Sequence, residues 1–571
     1  MRSVFNGAIL VMALSANAAA QLFQHTYRPA PDVGSATESG QVTSSTGTGH
    51  LAGGLDVRGF DYGISVVRTD ADGRFTTPND FNRVYYLTHS SGLQLRFTAA
   101  RVEEFSDGSG YGAIGTYMTQ TGLFQPYQNQ GIAYVRLDPS GNVMNVQGYS
   151  LGNNSGSRAF IMGLKESTTT PNTLYATGYL TPAQNESNTM WAMKIDQAGN
   201  LLWGKFYNFA SGNELPTDLV ENPYAAGQLI VVGDYSESAN NFYKPFWMTI
   251  NSNTGALSSI RIMSSFMGGP NEYIRSIKAV PGNGFILTGI SEAKSWVVKL
   301  TNAGAYQWAG IYSSASNPGF LMYGHQAVGI INPQTGQQEY YVTGPYFNAA
   351  TNGDAYVFRL DQNGNPINPS GLFLYDLGAE ETGMAIDRTA GGFAMYAVAE
   401  ANAPSSLSEI YIVQADLNGQ SGCNERYEDL KRKLVEWGQV RTITATVTSF
   451  STENISNLSQ LDLTDNELCY TGTKPATTYI AALTNAEGFG LHPNPVAAGS
   501  SVMLTLDAAE AGKVQVAVYD ITGRLCFAEE FAAGSGANQF ALQLKPGMQA
   551  GIYTVRIKGG KLDKNVLLSV R

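Results

Sequence analysis

Few side chains in this sequence have the types and spacing that chemistry requires. The five histidines are His25, His50, His89, His325 and His492, and no two stand at metal-ligand spacing. "GYSLG" (Gly148 to Gly152) matches the nucleophile-elbow pattern, but it lies in strand-like sequence without the strand-to-helix turn that exposes such a serine. "GYGAIG" (Gly110 to Gly115) matches a dinucleotide fingerprint, yet it opens a strand and not a helix, so it reads as a glycine-rich turn. Asp138, Asp196, Asp361 and Asp416 recur before glycine turns. They lack the carboxylate density of a calcium loop and read as turn formers. No catalytic, cofactor-binding or metal-binding residue is assigned from these patterns, and no cofactor is expected. The reading favours a protein that is not an enzyme.

The elements around these residues are clearer. Ala133–Asn142 "AYVRLDPSGN", Trp191–Asn200 "WAMKIDQAGN", Ser295–Ala305, Ala355–Asn365 and Ile410–Gln420 share one rule: an alternating strand, then Asp, Asn or Thr, then a turn closed by Gly. Phe246–Ala256 fits with one extra turn residue, and Ser65–Arg74 is the weakest copy. The closing glycines are 73, 141, 199, 255, 304, 364 and 419. Asp or Asn can bond its own backbone in such a turn, and Gly accepts positive φ. A second strand precedes most copies, as in "LYATGYLT" (Leu174–Thr181) and "FILTGISE" (Phe285–Glu292). About four short strands per repeat is the content of one propeller blade, and a blade buries its faces only by stacking in a ring. The expected fold is all-β: a β-propeller of about seven blades, with Arg136, Lys194, Lys299 and Arg359 mostly solubilising its strands. Closure is expected from residues 40–60 pairing with Val440–Phe450.

Composition agrees. In 571 residues, charged groups make up 14%, aromatics 11%, and glycine numbers 63, which suits a turn-rich β protein and not a helical or disordered chain. The net charge is -11, without a basic cluster, so nucleic acid is not an expected partner. Arg2, the apolar run Ala8–Leu14 and the alanines at 18, 19 and 20 read as a secretory signal peptide over 1–20; the run is too short to span a bilayer.

The repeats are expected over 21–422, with a closing segment and linker over 423–487. There "NERYEDLKRKLVEWG" puts Tyr427, Leu430, Leu434 and Trp437 on one face of a short helix. Cys423 and Cys469 bracket this segment and are disulfide candidates in an oxidising compartment; the closed loop of about 45 residues would stabilise by roughly 3–4 kcal/mol on the chain-entropy model. The third cysteine, Cys526, reads as a small core residue.

From 488 to 571, six or seven short strands suggest a small Ig-like β-sandwich. Its landmarks are "HPNPV" (His492, Pro493, Asn494, Pro495), "YDITGR" (Asp520, Gly523, Arg524) and "GIYTVRI" (Gly551, Tyr553). In that order they resemble the C-terminal sorting domain of type IX secretion substrates in Bacteroidetes. The resemblance implies passage through periplasm and outer membrane on the type IX machinery, with a sortase and a lipopolysaccharide anchor as further partners. The repeats resemble the propeller repeats of secreted bacterial surface proteins, over roughly 40 to 422. The implied function is adhesion, or capture of a protein or glycan, at the cell surface or in the secreted state. The alternative is a propeller enzyme delivered by the same route: glycan-cleaving, or quinoprotein-like, since "AGNLLWGKF" (Ala198–Phe206) resembles the quinoprotein-dehydrogenase repeat.

Overall fold

The computed structural model describes residues 22–470 and 490–570 apart from short segments at several loops. The signal-peptide expectation (1–20), Cys423, Pro493, Asn494, Pro495 and Gly523 lie outside the described residues. The chain divides into two compact units, Met1–Gly472 and Thr473–Arg571. Both are all-β, with no helix among the described residues, hence none long and apolar enough to cross a membrane.

The described residues of the first unit form seven antiparallel sheets, numbered I to VII along the chain. Sheet I holds Ser35–Thr37, Gly49–Arg58, Asp61–Asp70 and Phe81–His89. Sheet II holds Arg96–Glu104, Tyr111–Thr119, Gln128–Leu137 and Val143–Gly152. Sheet III holds Arg158–Glu166, Thr173–Thr181, Thr189–Asp196 and Leu201–Asn208. Sheet IV holds Gly212–Glu221, Gln228–Glu237, Tyr243–Asn251 and Leu257–Met263. Sheet V holds Glu272–Ala279, Phe285–Ser291, Lys294–Leu300 and Tyr306–Ser314. Sheet VI is built on Gln338–Asn348, Thr351–Leu360 and Leu372–Tyr375, with Leu321–Met322 and Gln326–Ile331 on its first edge. Sheet VII holds Glu380–Arg388, Gly392–Glu400 and Ser408–Asp416, and takes its fourth strand, Phe23–Arg28, from the start of the described chain.

Each sheet packs on the next, and sheet VII packs on sheet I, so the contacts form a closed cycle. The cores lie between sheets. Phe23, Tyr27, Ile410 and Ile412 of sheet VII meet Ala52 and Val67 of sheet I; Trp247 and Met263 of sheet IV meet Phe285 and Trp296 of sheet V. Phe23–Arg28 therefore closes the cycle, in place of the expected pairing of 40–60 with 440–450. Its alternating Phe23, His25 and Tyr27 are buried, and apolar burial makes that the favoured seam.

Residues 425–470 overturn two further expectations. The anticipated helix is absent: Glu425–Glu428 and Leu430–Leu434 are strands. Each repeat also has more than four strands. Glu425–Glu428 adds to the outer edge of sheet VI, Leu430–Leu434 to V, Val440–Ile443 to IV, Thr446–Ser449 to III, Ser451–Glu453 to II, Ile455–Asp462 to I and Thr464–Tyr470 to VII. One belt thus visits every sheet in reverse order. An open strand edge offers a row of unpaired N–H and C=O groups, and pairing with it outweighs a weak local helical pattern.

The second unit has two sheets. One orders Gly490–His492, Ser501–Ala508 and Gly536–Gln543; the other orders Leu525–Ala533, Gly512–Tyr519, Gly551–Gly559 and Leu562–Val570. Val502, Leu504 and Leu542 of the first meet Val516, Val518, Val555, Ile557 and Leu568 of the second in one core. Cys526 is half-buried against it.

Candidate functional site: the hairpin seal between sheets

The seven turn glycines all have positive φ, from 69° to 81°. In the Asp138 turn the Asp138 N–H donates to Asn142 O at 2.9 Å and the Gly141 N–H to Asp138 O at 3.0 Å. The carboxylate Oδ1 of Asp138 accepts from the Ser140 and Asn142 amides at 2.9 and 2.8 Å, and Oδ2 from Asn142 Nδ2 at 2.9 Å. The carboxylates of Asp196, Asp361 and Asp416 are engaged in the same way. They serve their own turns.

The glycine carbonyls are held by the preceding sheet. Tyr27 Oη donates to Gly73 O at 2.7 Å, Tyr85 to Gly141 at 2.6 Å, Tyr149 to Gly199 at 2.6 Å, Tyr207 to Gly255 at 2.7 Å, Tyr312 to Gly364 at 2.7 Å and Tyr375 to Gly419 at 2.9 Å. Burial pushes the phenols of Tyr149, Tyr207, Tyr312 and Tyr375 up, so they stay protonated donors. A second side chain fills the space under each of these glycines. A Cβ on Gly73 would meet Phe23 at 2.4 Å, on Gly141 Phe81 at 2.8 Å, on Gly199 Gln147 at 2.9 Å, on Gly255 Trp203 at 2.7 Å, on Gly364 Trp308 at 2.7 Å, and on Gly419 Phe373 at 2.4 Å.

Gly304 breaks the pattern. The sheet IV strand that should seal it carries Ser259 where sheet III has Trp203, and Met263 where sheet III has Tyr207. The nearest atom to a Cβ there is Trp247 Cζ2, at 3.8 Å. Beneath the hairpin lies a cavity of about 530 Å³. Trp247, Tyr224 and Phe285 are its aromatic walls, with Trp247 and Tyr224 each edge-on to Phe285 at 5.5 and 5.4 Å. Asn222, Gln228, Thr249, Ser258, Ser259, Arg261 and Asn302 supply its polar groups. Arg261 is exposed and lies directly across the strand pair from Trp247. The volume falls within the ~300–1,000 Å³ of small-molecule sites.

The basic residues expected as strand solubilisers are instead drawn inward. Arg136, Lys194 and Lys299 are buried. Arg136 Nη2 donates to Ser109 O at 2.8 Å, Lys299 Nζ to Leu300 O at 2.9 Å, and Lys194 lies over the Tyr175 ring at 4.8 Å. Arg359 forms a two-pronged pair with Glu339, both bonds 2.8 Å. The strands that carry these four residues are covered on both faces, so alternation along them marks no solvent face.

Two histidines are also structural. His325 Nδ1 lies 2.9 Å from Gly383 O; His50 packs edge-on against Phe23 at 5.2 Å. Burial lowers both to about 4. One trio of carboxylates, Asp354, Asp376 and Glu381, comes close together. There Asp354 is paired with Arg426 of the belt, and Asp376 accepts the Gly378 amide at 2.7 Å. Ser150 of "GYSLG" lies inside a strand, paired with Ser451 of the belt.

In the second unit, Asp520 and Arg524 are hydrogen-bonded to each other. Arg524 N donates to Asp520 Oδ1 at 3.1 Å, and Arg524 Nε to Oδ2 at 3.0 Å. Tyr553 Oη donates to Gln549 O at 2.8 Å, and Gly551 opens the same strand. His492 pairs with Met503 at the edge of the smaller sheet.

Residues 490–568 match the secretion system C-terminal sorting domain family. The chain is therefore a type IX secretion substrate, with export to the cell surface or the medium as its implied fate. No curated protein matches the chain. Among solved structures, a tetra-tandem repeat from the extending region of a large adhesion protein aligns at 11% identity over 93% of this chain and 100% of that one, with a TM-score of 0.13. PorZ, a surface component of the type IX secretion system of Porphyromonas gingivalis, aligns at 11% identity over 96% and 100%, also with a TM-score of 0.13. Likenesses that slight bear on neither fold nor function.

Proposed function

We infer that the seven sheets are the blades of a seven-bladed β-propeller, and that the C-terminal unit is an Ig-like sandwich serving as its sorting domain, over 488–571. Residues 1–20 are read as a signal peptide, 21–422 as the blades, and 423–487 as belt and linker. The protein enters the periplasm, crosses the outer membrane on the type IX machinery, and binds a ligand at the surface without converting it. Processing by a sortase and attachment to lipopolysaccharide belong to this reading. The single observation that carries the binding role is the unsealed hairpin at Gly304, whose cavity presents aromatic walls and hydrogen-bonding groups. Its lining includes no carboxylate, histidine or cysteine to act as acid, base or nucleophile, which favours binding over an enzymatic role.

The test has two arms. Cells expressing the chain without 488–571 are fractionated: retention in the periplasm is expected, and normal surface display would refute the export route. The purified exported protein is then screened by thermal shift against saccharides and peptides. A stabilising compound recovered chemically unchanged supports the reading; a compound converted to product overturns it.

A further inference from the structure

We propose that the cavity under Gly304 is a saccharide site whose preferred ligand carries a carboxylate that reaches Arg261. The inference rests on the binding role just described and names its ligand class. Three features point to it. Trp247 is largely buried and borders the space under the hairpin with its six-membered ring, Cζ2 and Cη2 lying 3.8 and 3.9 Å from where a Gly304 Cβ would be. That border offers a sugar's C–H groups van der Waals contact, whereas a fully apolar ligand would give the hydroxyls and amide beside it nothing to bond. Those groups are mostly neutral amides and hydroxyls: Ser258, Ser259 and Asn302, beside Asn222 and Gln228, whose side chains are hydrogen-bonded to each other at 3.1 Å. They match hydroxyls, which both donate and accept.

Charge selects further. Arg261 is the only ionisable side chain among the lining residues other than Tyr224. A cationic ligand would meet a guanidinium and no carboxylate, while an anionic one gains a charge-assisted, two-pronged contact. The site also has room along the chain of a glycan. A shallower groove of about 400 Å³, lined by Asn283, Thr301 and Gln307, shares Asn302 and Ala303 with the cavity. The Thr301–Gly304 hairpin thus stands between two adjoining subsites. Tyr224 is already engaged as a fixed wall: its Oη donates to Val280 O and accepts the Gly284 amide at 3.1 Å.

The neighbouring sheets supply the control. Ser259→Trp would restore the plug that Trp203 and Trp308 provide beneath their hairpins. Saturation-transfer NMR is run on the full exported protein with a galacturonate trimer, sialyllactose and neutral maltotriose. Wild type should bind both acidic sugars, and maltotriose more weakly. Ser259→Trp should lose all three while melting no lower than wild type. Arg261→Gln, at an exposed position, should weaken the acidic sugars roughly 10- to 100-fold and leave maltotriose unchanged. Absence of transfer for all three sugars at millimolar concentration would overturn the assignment, as would equal binding by the plugged variant. A peptide that binds wild type but not Ser259→Trp, when sugars do not bind, would overturn the saccharide assignment and leave the binding role standing. Ligand binding that survives the plug, wherever it occurs, would remove the binding role from this cavity as well.

Discussion

Tyr207 Oη donates to the Gly255 carbonyl at 2.7 Å, tying the outer strand of sheet III to the turn of sheet IV. The same bond recurs at five other hairpins. It converts a turn, which most folds leave to solvent, into a joint between neighbouring sheets. The glycine it holds is buried against Trp203, whose ring comes within 2.7 Å of where a Cβ would stand.

Tyr207→Phe should therefore cost about 1–2 kcal/mol, since the buried acceptor loses its donor while the ring still packs. Urea denaturation of the two proteins checks this. An unchanged midpoint would mean that water replaces the phenol.

Gly304 and Gly419 share the same turn, with φ of 74° and 78°, but not the same surroundings. Gly304→Ala should cost only the left-handed backbone penalty, ~1–2 kcal/mol. Gly419→Ala adds a clash with Phe373, 2.4 Å from the new Cβ, and should cost at least ~1 kcal/mol more. Equal losses in melting experiments would argue that the hairpins are not sealed differently.

The hairpins were legible in the sequence because their information is local: an Asp or Asn, a turn and a glycine with positive φ. The belt was not, since strands such as Ser451–Glu453 are short and polar and acquire meaning only from edges hundreds of residues away. The apolar spacing of Tyr427, Leu430 and Leu434 imitated a helix. Alternation also misplaced Arg136 and Lys299, because period two separates faces without saying which face meets water. Tyr207 and Trp203 stand eight and four residues after the turn glycine Gly199. Trp308 and Tyr312 keep those offsets after Gly304, and Ser259 and Met263 occupy them after Gly255. Elsewhere the spacing shifts, as with Phe81 and Tyr85 eight and twelve residues after Gly73, so the sequence alone did not mark the cavity.

Burial raises Glu214 to about 8, though its Oε1 accepts the Phe209 amide at 2.8 Å. The native state thus holds a proton that the unfolded chain releases near 4.5. Stability from this group is present at low pH and is lost as pH rises through about 8. His50 and His325, lowered to about 4, act in the opposite sense: their contribution is lost as pH falls from 6.5 toward 4. Glu214→Gln should melt above wild type at pH 9 and match it near pH 4. A constant difference across that range would assign the effect to packing.

Cys469 stands opposite Gln24 in the last belt strand. The Gln24 side chain meets Ser421 Oγ at 2.6 Å and Asn424 Nδ2 at 3.4 Å, residues that flank Cys423 in sequence. A Cys423–Cys469 bridge would fasten the end of the belt to its beginning. Peptide mapping of the exported protein without reductant should recover the cross-linked pair; two alkylatable thiols would refute it.

The belt itself gives the sharpest prediction about assembly. Without residues 425–470, all seven sheets would present their fourth strands as bare edges, a row of unpaired donors and acceptors that recruits other chains. The two kinds of seam should then fail differently. Removing 21–28 takes away Phe23 and Tyr27, which join sheets VII and I, so the cycle should open and the fold be lost. Removing 425–470 strips mainly polar edge strands: every residue of Thr446–Ser449 is exposed, and only Leu430 of the first two belt strands is buried. The sheet-to-sheet cores should survive, leaving a protein that folds but associates as concentration rises. Circular dichroism and light scattering on the two deletions distinguish the outcomes. A belt deletion that stays monomeric would show that the fourth strands protect their own edges, and one that unfolds outright would make the belt part of the core.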